Sequence, residues 1–225
     1  MAKPVLEVRE LWVGEGPAAP CRGVSLAARG GEVVCVLGGE GAGKSQLLRC
    51  IGLDFPPSAG AVLLNGSDVT ASTGEQRRAI RARAIELVHP PAPEGVRDLT
   101  VPDPRGGLLL SATRRKTVPV AGMRQRIQIA KALTQGADAL LLDEPLAGVD
   151  PGVRTRVVEL LGRLRSGSTT AVVVATRDPD IARLLADRIV VLDNGEVIEA
   201  GVTDQVLENP RDARTRELVE RRRSA

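Results

Sequence analysis

The sequence predicts an α/β fold, with one mainly parallel sheet covered on both faces by helices. Three observations point there. Apolar runs of about five residues, the pattern of strands buried on both sides, alternate with amphipathic helical stretches. A glycine-rich loop, Gly38-Gly39-Glu40-Gly41-Ala42-Gly43-Lys44-Ser45, joins one such strand to a helix. Another apolar strand, Leu140-Leu141-Leu142, ends in the acids Asp143 and Glu144. At 225 residues, 43% hydrophobic and 26% charged, the chain suits one globular core.

In chain order, residues 5–11 and 24–28 read as short strands separated by the Gly/Pro-rich loop 14–20. Residues 32–37 form the strand entering the glycine loop, and 44–53 have helical spacing up to the turn Pro56-Pro57-Ser58-Ala59-Gly60. Residues 61–64 enter a tight turn at Asn65-Gly66, 74–83 form a polar helix and 84–88 a buried strand. Segment 90–119 breaks the pattern, with Pro90, Pro91, Pro93, Pro102, Pro104 and Pro119 and little apolar periodicity. A stretch of that length without regular elements is uncommon in a compact domain. Regularity returns with a helix over 122–135, a strand over 139–142 and a helix over 151–165 opened by Pro151. A strand over 171–175 and a helix over 179–186 follow. Strands 189–192 and 197–198 form a hairpin turned at Asn194-Gly195, and helices over 204–207 and 214–223 complete the pattern.

The net charge of +3 gives no reason to expect a nucleic-acid partner. The basic groups Arg77, Arg78, Arg81, Arg83 and Arg221–Arg223 read as solvated helix faces. Trp12 and Phe55 are the only aromatics, too few to stack single-stranded bases. Cys21, Cys35 and Cys50 lack metal spacing and read as small buried hydrophobes in a reducing compartment. With no apolar signal region and no run of membrane-spanning length, the expected location is the cytoplasm, membrane contact coming only through a partner.

The glycine loop matches G-x-x-x-x-G-K-[ST] in the strand–loop–helix context that phosphate binding requires. Its backbone N–H groups turn inward around an anion, helped by the positive end of the following helix. Gly38, Gly39, Glu40, Gly41, Ala42, Gly43, Lys44, Ser45 and Gln46 are therefore the candidate nucleotide-binding residues. Lys44 would reach the β and γ phosphates, and Ser45 would hold Mg²⁺ through its hydroxyl. Asp143, at the carboxyl end of a neighbouring strand, is the second candidate Mg²⁺ ligand, and Glu144 is placed to polarise an attacking water.

Taken with Met123-Arg124-Gln125-Arg126-Ile127-Gln128-Ile129-Ala130-Lys131-Ala132-Leu133 and Gly148-Val149-Asp150, these motifs make the chain resemble an ATP-binding cassette (ABC) ATPase from about Leu6 to the tail. The tail, Leu207-Glu208-Asn209-Pro210-Arg211 and Arg214-Thr215-Arg216-Glu217-Leu218, is similar to cassettes of bacterial polar amino acid importers. The resemblance implies a P-loop NTPase fold with an N-terminal antiparallel β-subdomain and a helical subdomain, all in one domain over 1–225. The proline-rich segment 90–120 stands for a shortened form of that helical subdomain. It also implies ATP and Mg²⁺ as ligands, a second cassette as head-to-tail dimer partner, and a transmembrane permease as a further partner on the inner face of the cell membrane.

Several family positions are altered. The signature segment aligns with Pro119-Val120-Ala121-Gly122-Met123, so Val120 stands where a serine would bond the γ-phosphate across the dimer. Val120, Ala121, Gly122 and Asp150 are the expected dimer-site residues. Arg177 occupies the switch position that the family gives to histidine, and His89-Pro90 replaces an expected glutamine. The nucleotide-stacking aromatic falls near Glu15, with Trp12 as a substitute. Two readings stay open: a cassette that binds Mg-ATP, hydrolyses it weakly and energises a transporter, or a non-catalytic nucleotide sensor acting through dimerisation or partner binding.

Overall fold

The computed structural model describes residues 3–88, 136–147, 151–165 and 168–223. The helix expected over 122–135, the segment 90–119, and the positions His89, Val120, Ala121, Gly122 and Asp150 lie outside these described residues.

Two sheets form. β1 (Leu6–Val13), β2 (Cys21–Ala28), β4 (Ala59–Leu64) and β5 (Ser67–Asp68) build an antiparallel sheet in the order β2-β1-β4-β5. Along β1 the buried positions are Leu6 and Val8, then Leu11 and Val13, so the period-two alternation slips by one residue. The pairing with β2 shifts register at that point, and Glu10 takes a φ of 44°. This bulge keeps the apolar set facing inward.

The second sheet contains β3 (Val33–Leu37), β6 (Ile85–Val88), β7 (Ala139–Asp143), β8 (Ala171–Thr176), β9 (Arg188–Asp193) and β10 (Glu196–Val202), in the order β10-β9-β3-β8-β7-β6. All neighbours run parallel except β10 against β9. Every residue of β3, β7 and β8 is buried, as strands covered on both faces require. Their side chains divide by parity. Val34, Val36, Leu141 and Val173 face helix α1 (Lys44–Ile51) and the antiparallel sheet, so Leu47, Leu48 and Ile51 are clamped between the two sheets. Leu140, Leu142, Val172 and Val174 face the other way, against Val157 and Leu161 of α3 (Pro151–Arg165) and Ile181 and Leu185 of α4 (Pro179–Leu185). A third cluster joins Cys35, Leu37 and Val191 to Val206 of α5 (Thr203–Glu208) and Val219 of α6 (Ala213–Arg223).

The remaining helix, α2 (Gly74–Arg83), buries no residue fully and is held at its start by a capping box between Thr73 and Gln76. Most expected elements lie within a residue or two of their predicted bounds. β2 begins at Cys21 rather than 24, because Cys21 pairs with Val13 across the sheet. α1 stops at Ile51 rather than 53, since Gly52 caps it and Leu53 turns into a left-handed conformation with φ 61°.

Candidate functional site

In the parallel sheet Leu37 lies opposite Thr176, and Ala175 opposite Asp143, so the ends of β3, β8 and β7 share one edge. Ligands of open α/β sheets gather at the carboxyl ends of the strands. The glycine loop leaves β3 at this edge and enters α1, and Gly38 N–H donates to the Thr176 carbonyl at 3.2 Å. Gly43 closes the loop with φ 99°, and a side chain there would run into the Pro20 carbonyl. α1 has neither a side-chain cap nor an acidic residue in its first turn. Its leading N–H groups and positive dipole end are therefore not offset by a protein carboxylate.

Lys44 is 7% exposed, and its Nζ donates to the carbonyls of Gly38 at 2.9 Å and Gly39 at 2.7 Å. Burial pulls its ammonium below the ordinary lysine range; Glu144 and Asp143 oppose that shift, and Arg177 adds to it. Ala42 is buried, whereas Glu40, Gly41, Ser45 and Gln46 are exposed. The back of the loop is propped by the β9–β10 turn. Gly195 N–H donates to the Ala42 carbonyl at 3.1 Å, Arg22 N–H to the Gly195 carbonyl at 2.7 Å, and the Arg22 guanidinium to the Asn194 carbonyl at 2.9 Å.

Asp143 ends β7 at 3% exposure, and its Oδ1 is buried without a hydrogen-bond partner among the described residues. An orphaned carboxylate oxygen is costly unless something pairs with it. With a serine hydroxyl on the first turn of α1, the donor set is all oxygen and suits a hard cation such as Mg²⁺. No group of three or more His, Cys, Asp or Glu side chains gathers as a metal site among the described residues.

Glu144 follows with φ 44°, its N–H donating to the Ala175 carbonyl at 2.9 Å. Its carboxylate accepts the Thr176 hydroxyl at Oε2, 3.0 Å, and the Arg177 N–H at Oε1, 3.0 Å. Arg177 itself is exposed, and Asp178 beside it caps α4 by accepting the Asp180 N–H at 3.0 Å. Lys44, Asp143, Glu144 and Arg177 thus come together electrostatically at one edge of the sheet.

Sequence reasoning missed the role of Thr176, and it read the turn at Asn194-Gly195 without its support of the glycine loop. A hydroxyl closing an apolar strand beside the acidic one was the available signal for Thr176; the prop at Gly195 depends on packing that no local pattern announces. Trp12 is 36% exposed on β1, and the Arg49 guanidinium lies 5.5 Å from the Phe55 ring centroid. The three cysteines are buried and free. Burial pushes the thiol of Cys50 up to about 11 and that of Cys21 to about 12, with Cys35 higher still, so all three stay protonated and unreactive. Among the described residues, no helix is long and apolar enough to cross a membrane.

The sequence pattern of the ABC transporter family matches residues 21–94. The putative phosphonates utilization ATP-binding protein PhnK of Escherichia coli (strain K12) is 30% identical over 246 aligned residues, covering 97% of this chain and 98% of that protein. The phosphate import ATP-binding protein PstB 2 of Natronomonas pharaonis is 34% identical, with 97% and 87% covered. The methionine import ATP-binding protein MetN of Caulobacter vibrioides is 32% identical, and the chain spans 66% of its length. Among solved structures, a dimeric ATP-binding cassette in a post-hydrolysis state, bound to ADP and Pi, superposes with a TM-score of 0.69 at 22% identity. That match covers 88% of this chain and 98% of the other.

Proposed function

The chain belongs to the ATP-binding subunits of ABC transporters, and from that premise we propose that it binds Mg-ATP on the Gly38–Ser45 loop and turns it over slowly to energise a membrane permease. In this reading Lys44 exchanges its two carbonyl partners for phosphate oxygens, and the N–H groups of the loop and of α1 accept the rest of the anionic charge. Mg²⁺, when bound, would screen the phosphate charges, and the residues to hold it are Ser45 and Asp143. The Glu144 carboxylate accepts a hydrogen bond from the water that attacks the γ-phosphorus. The bond to the bridging oxygen breaks, leaving ADP and phosphate. Arg177 holds γ-phosphate charge but cannot accept a hydrogen bond, so it supports binding more than turnover.

The observation that carries this reading is the unpaired Oδ1 of Asp143 on the same strand-end edge as the Lys44 ammonium and the tethered Glu144 carboxylate. The second cassette is a further copy or a related chain, and the solute is chosen by other subunits. The names of the relatives, covering phosphonates, phosphate and methionine, span unlike solutes and favour none. Arg177 favours the alternative, a nucleotide sensor in which ATP shifts a dimer equilibrium without being consumed.

Two measurements test this function, the first for the ATP binding that both readings need and the second to separate them. Calorimetric titration with ATP should show magnesium-dependent affinity that falls at least about tenfold in Lys44→Ala, the loss of a charged hydrogen-bonding group. Undiminished affinity in that variant overturns ATP binding on the loop. Steady-state phosphate release should be measurable and should collapse in Glu144→Gln; release that is absent, or indifferent to the substitution, leaves the sensor.

A further inference from the structure

Thr176 ends β8 between the two strands that carry the site, and it touches three parts of that site at once. Its carbonyl accepts Gly38 N–H at 3.2 Å, tying it to the first residue of the phosphate loop. Its hydroxyl donates to Oε2 of Glu144 at 3.0 Å, and the Thr176 Oγ1 in turn accepts the Asp178 N–H at 3.2 Å. The residue is fully buried, at 0% exposure. A hydroxyl carries one proton, and the Asp178 N–H can only donate, so that proton is committed to the carboxylate.

Glu144 needs such a tether. Its φ of 44° places a residue with a side chain in the left-handed region, a conformation that persists only where surrounding contacts over-determine it. Beyond its Cβ the side chain has rotatable bonds that the backbone does not restrain. The carboxylate is aimed by two donors, the Thr176 hydroxyl and the Arg177 N–H, and both belong to the end of β8. Because Thr176 also binds the phosphate loop through its carbonyl, one residue sets the orientation of the carboxylate in the frame of the loop.

We propose that Thr176 is the positioning residue for Glu144, its hydroxyl fixing the carboxylate toward the γ-phosphate position of the loop to which its carbonyl is bonded. The inference rests on the hydrolytic reading of Glu144 given above. Thr176→Val keeps the shape of the side chain and removes the hydroxyl; Thr176→Ser keeps the hydroxyl and removes a methyl group. Neither touches Lys44, Ser45 or Asp143.

The test measures phosphate release, calorimetric ATP affinity and amide hydrogen exchange on the full chain, with Glu144→Gln alongside. Thr176→Val should lower kcat about tenfold, the scale of one hydrogen bond to a charged group, while KM and ATP affinity hold. Thr176→Ser should restore kcat. Without nucleotide, the Arg177 and Asp178 amides should exchange faster in the valine variant and at the wild-type rate in the serine variant. If Glu144→Gln collapses turnover but Thr176→Val leaves kcat unchanged, the positioning role is overturned and the hydrolytic reading stands. If Glu144→Gln changes nothing, both fall. A parallel loss of kcat and ATP affinity in Thr176→Val and Thr176→Ser alike would mark a purely structural residue and overturn the proposal. Should Thr176→Val lose cooperative unfolding, Thr176→Ala carries the same comparison.

Discussion

Lys44 carries its charge where water cannot solvate it, and its neighbours decide how well it keeps its proton. Burial lowers its pKa, the carboxylates of Glu144 and Asp143 oppose the shift, and Arg177 reinforces it. Removing a carboxylate and removing a guanidinium should therefore move Lys44 in opposite directions: further down in Glu144→Gln, back up in Arg177→Ala. An NMR titration of the lysine Cε resonances reads both, and shifts of the same sign would refute this account. The linkage follows from the direction. The native state loses this proton at a lower pH than the unfolded chain, so unfolding takes up a proton between the folded pKa and about 10.4, and stability rises with pH across that window. At Gly43 backbone and packing act together. Gly41 has φ 75° with open space around it, whereas Gly43 has φ 99° with the Pro20 carbonyl in the way. Gly41→Ala should cost about 1–2 kcal/mol in a urea unfolding series, the left-handed penalty alone, and Gly43→Ala clearly more. Equal costs would mean that the loop can move away from Pro20.

At the scale of elements, β10 holds α6 in place through one carboxylate. Glu199 is 8% exposed and accepts the backbone N–H groups of Arg211 and Asp212, at 3.0 and 3.2 Å, just ahead of the helix. Burial alone would raise its pKa, but those two N–H groups, with Thr215 and Gln205, bring it below the ordinary glutamate value. A depressed carboxylate stabilises above the unfolded pKa of about 4.3 and loses that contribution as pH falls through the folded value. Glu199→Gln should remove this acid-side dependence and cost about 1.5–3 kcal/mol at neutral pH, the range for hydrogen bonds to a charged group. An unfolding midpoint followed against pH in both proteins checks it, and superimposable acid limbs would exclude Glu199 as their source.

Legibility also divides at this scale. The strands of the parallel sheet could be read because their apolar runs are continuous and bounded by glycine, proline or acids. The bulge at Glu10 and the early start of β2 could not, because both are settled by how β1 and β2 pair across the sheet and not by the pattern along either strand. Lys44, Ser45, Asp143 and Glu144 were visible as unusual residue types at the ends of regular patterns. Thr176 falls just past the strand read over 171–175 and belongs to no motif, and only the register that sets it opposite Leu37 and next to Glu144 gives it a task.

For the whole molecule the question is whether two cassettes close on ATP firmly enough to hydrolyse it. The family dimer places the signature segment of one subunit against the nucleotide of the other. On the proposed reading that segment carries Val120, which offers no hydroxyl, and the switch position carries Arg177, which donates but cannot accept. The two changes act on different quantities. A missing hydrogen bond to phosphate weakens closure, whereas a missing acceptor near the attacking water slows chemistry within a closed dimer. Val120→Ser should therefore tighten the ATP-dependent dimer about tenfold or more in sedimentation experiments on a Glu144→Gln background, where turnover does not erode it. Arg177→His should leave dimer affinity the same or weaker, since a permanent cation is lost, yet raise phosphate release on the order of 10²-fold by restoring a group that can accept a hydrogen bond and exchange a proton. If Arg177→His tightens the dimer without speeding release, the arginine limits assembly rather than chemistry. The slow step would then lie at the interface between two cassettes, and a partner bearing the family serine and histidine would restore one group at each nucleotide site, leaving Arg177 at this chain's own site and Val120 facing the opposite one.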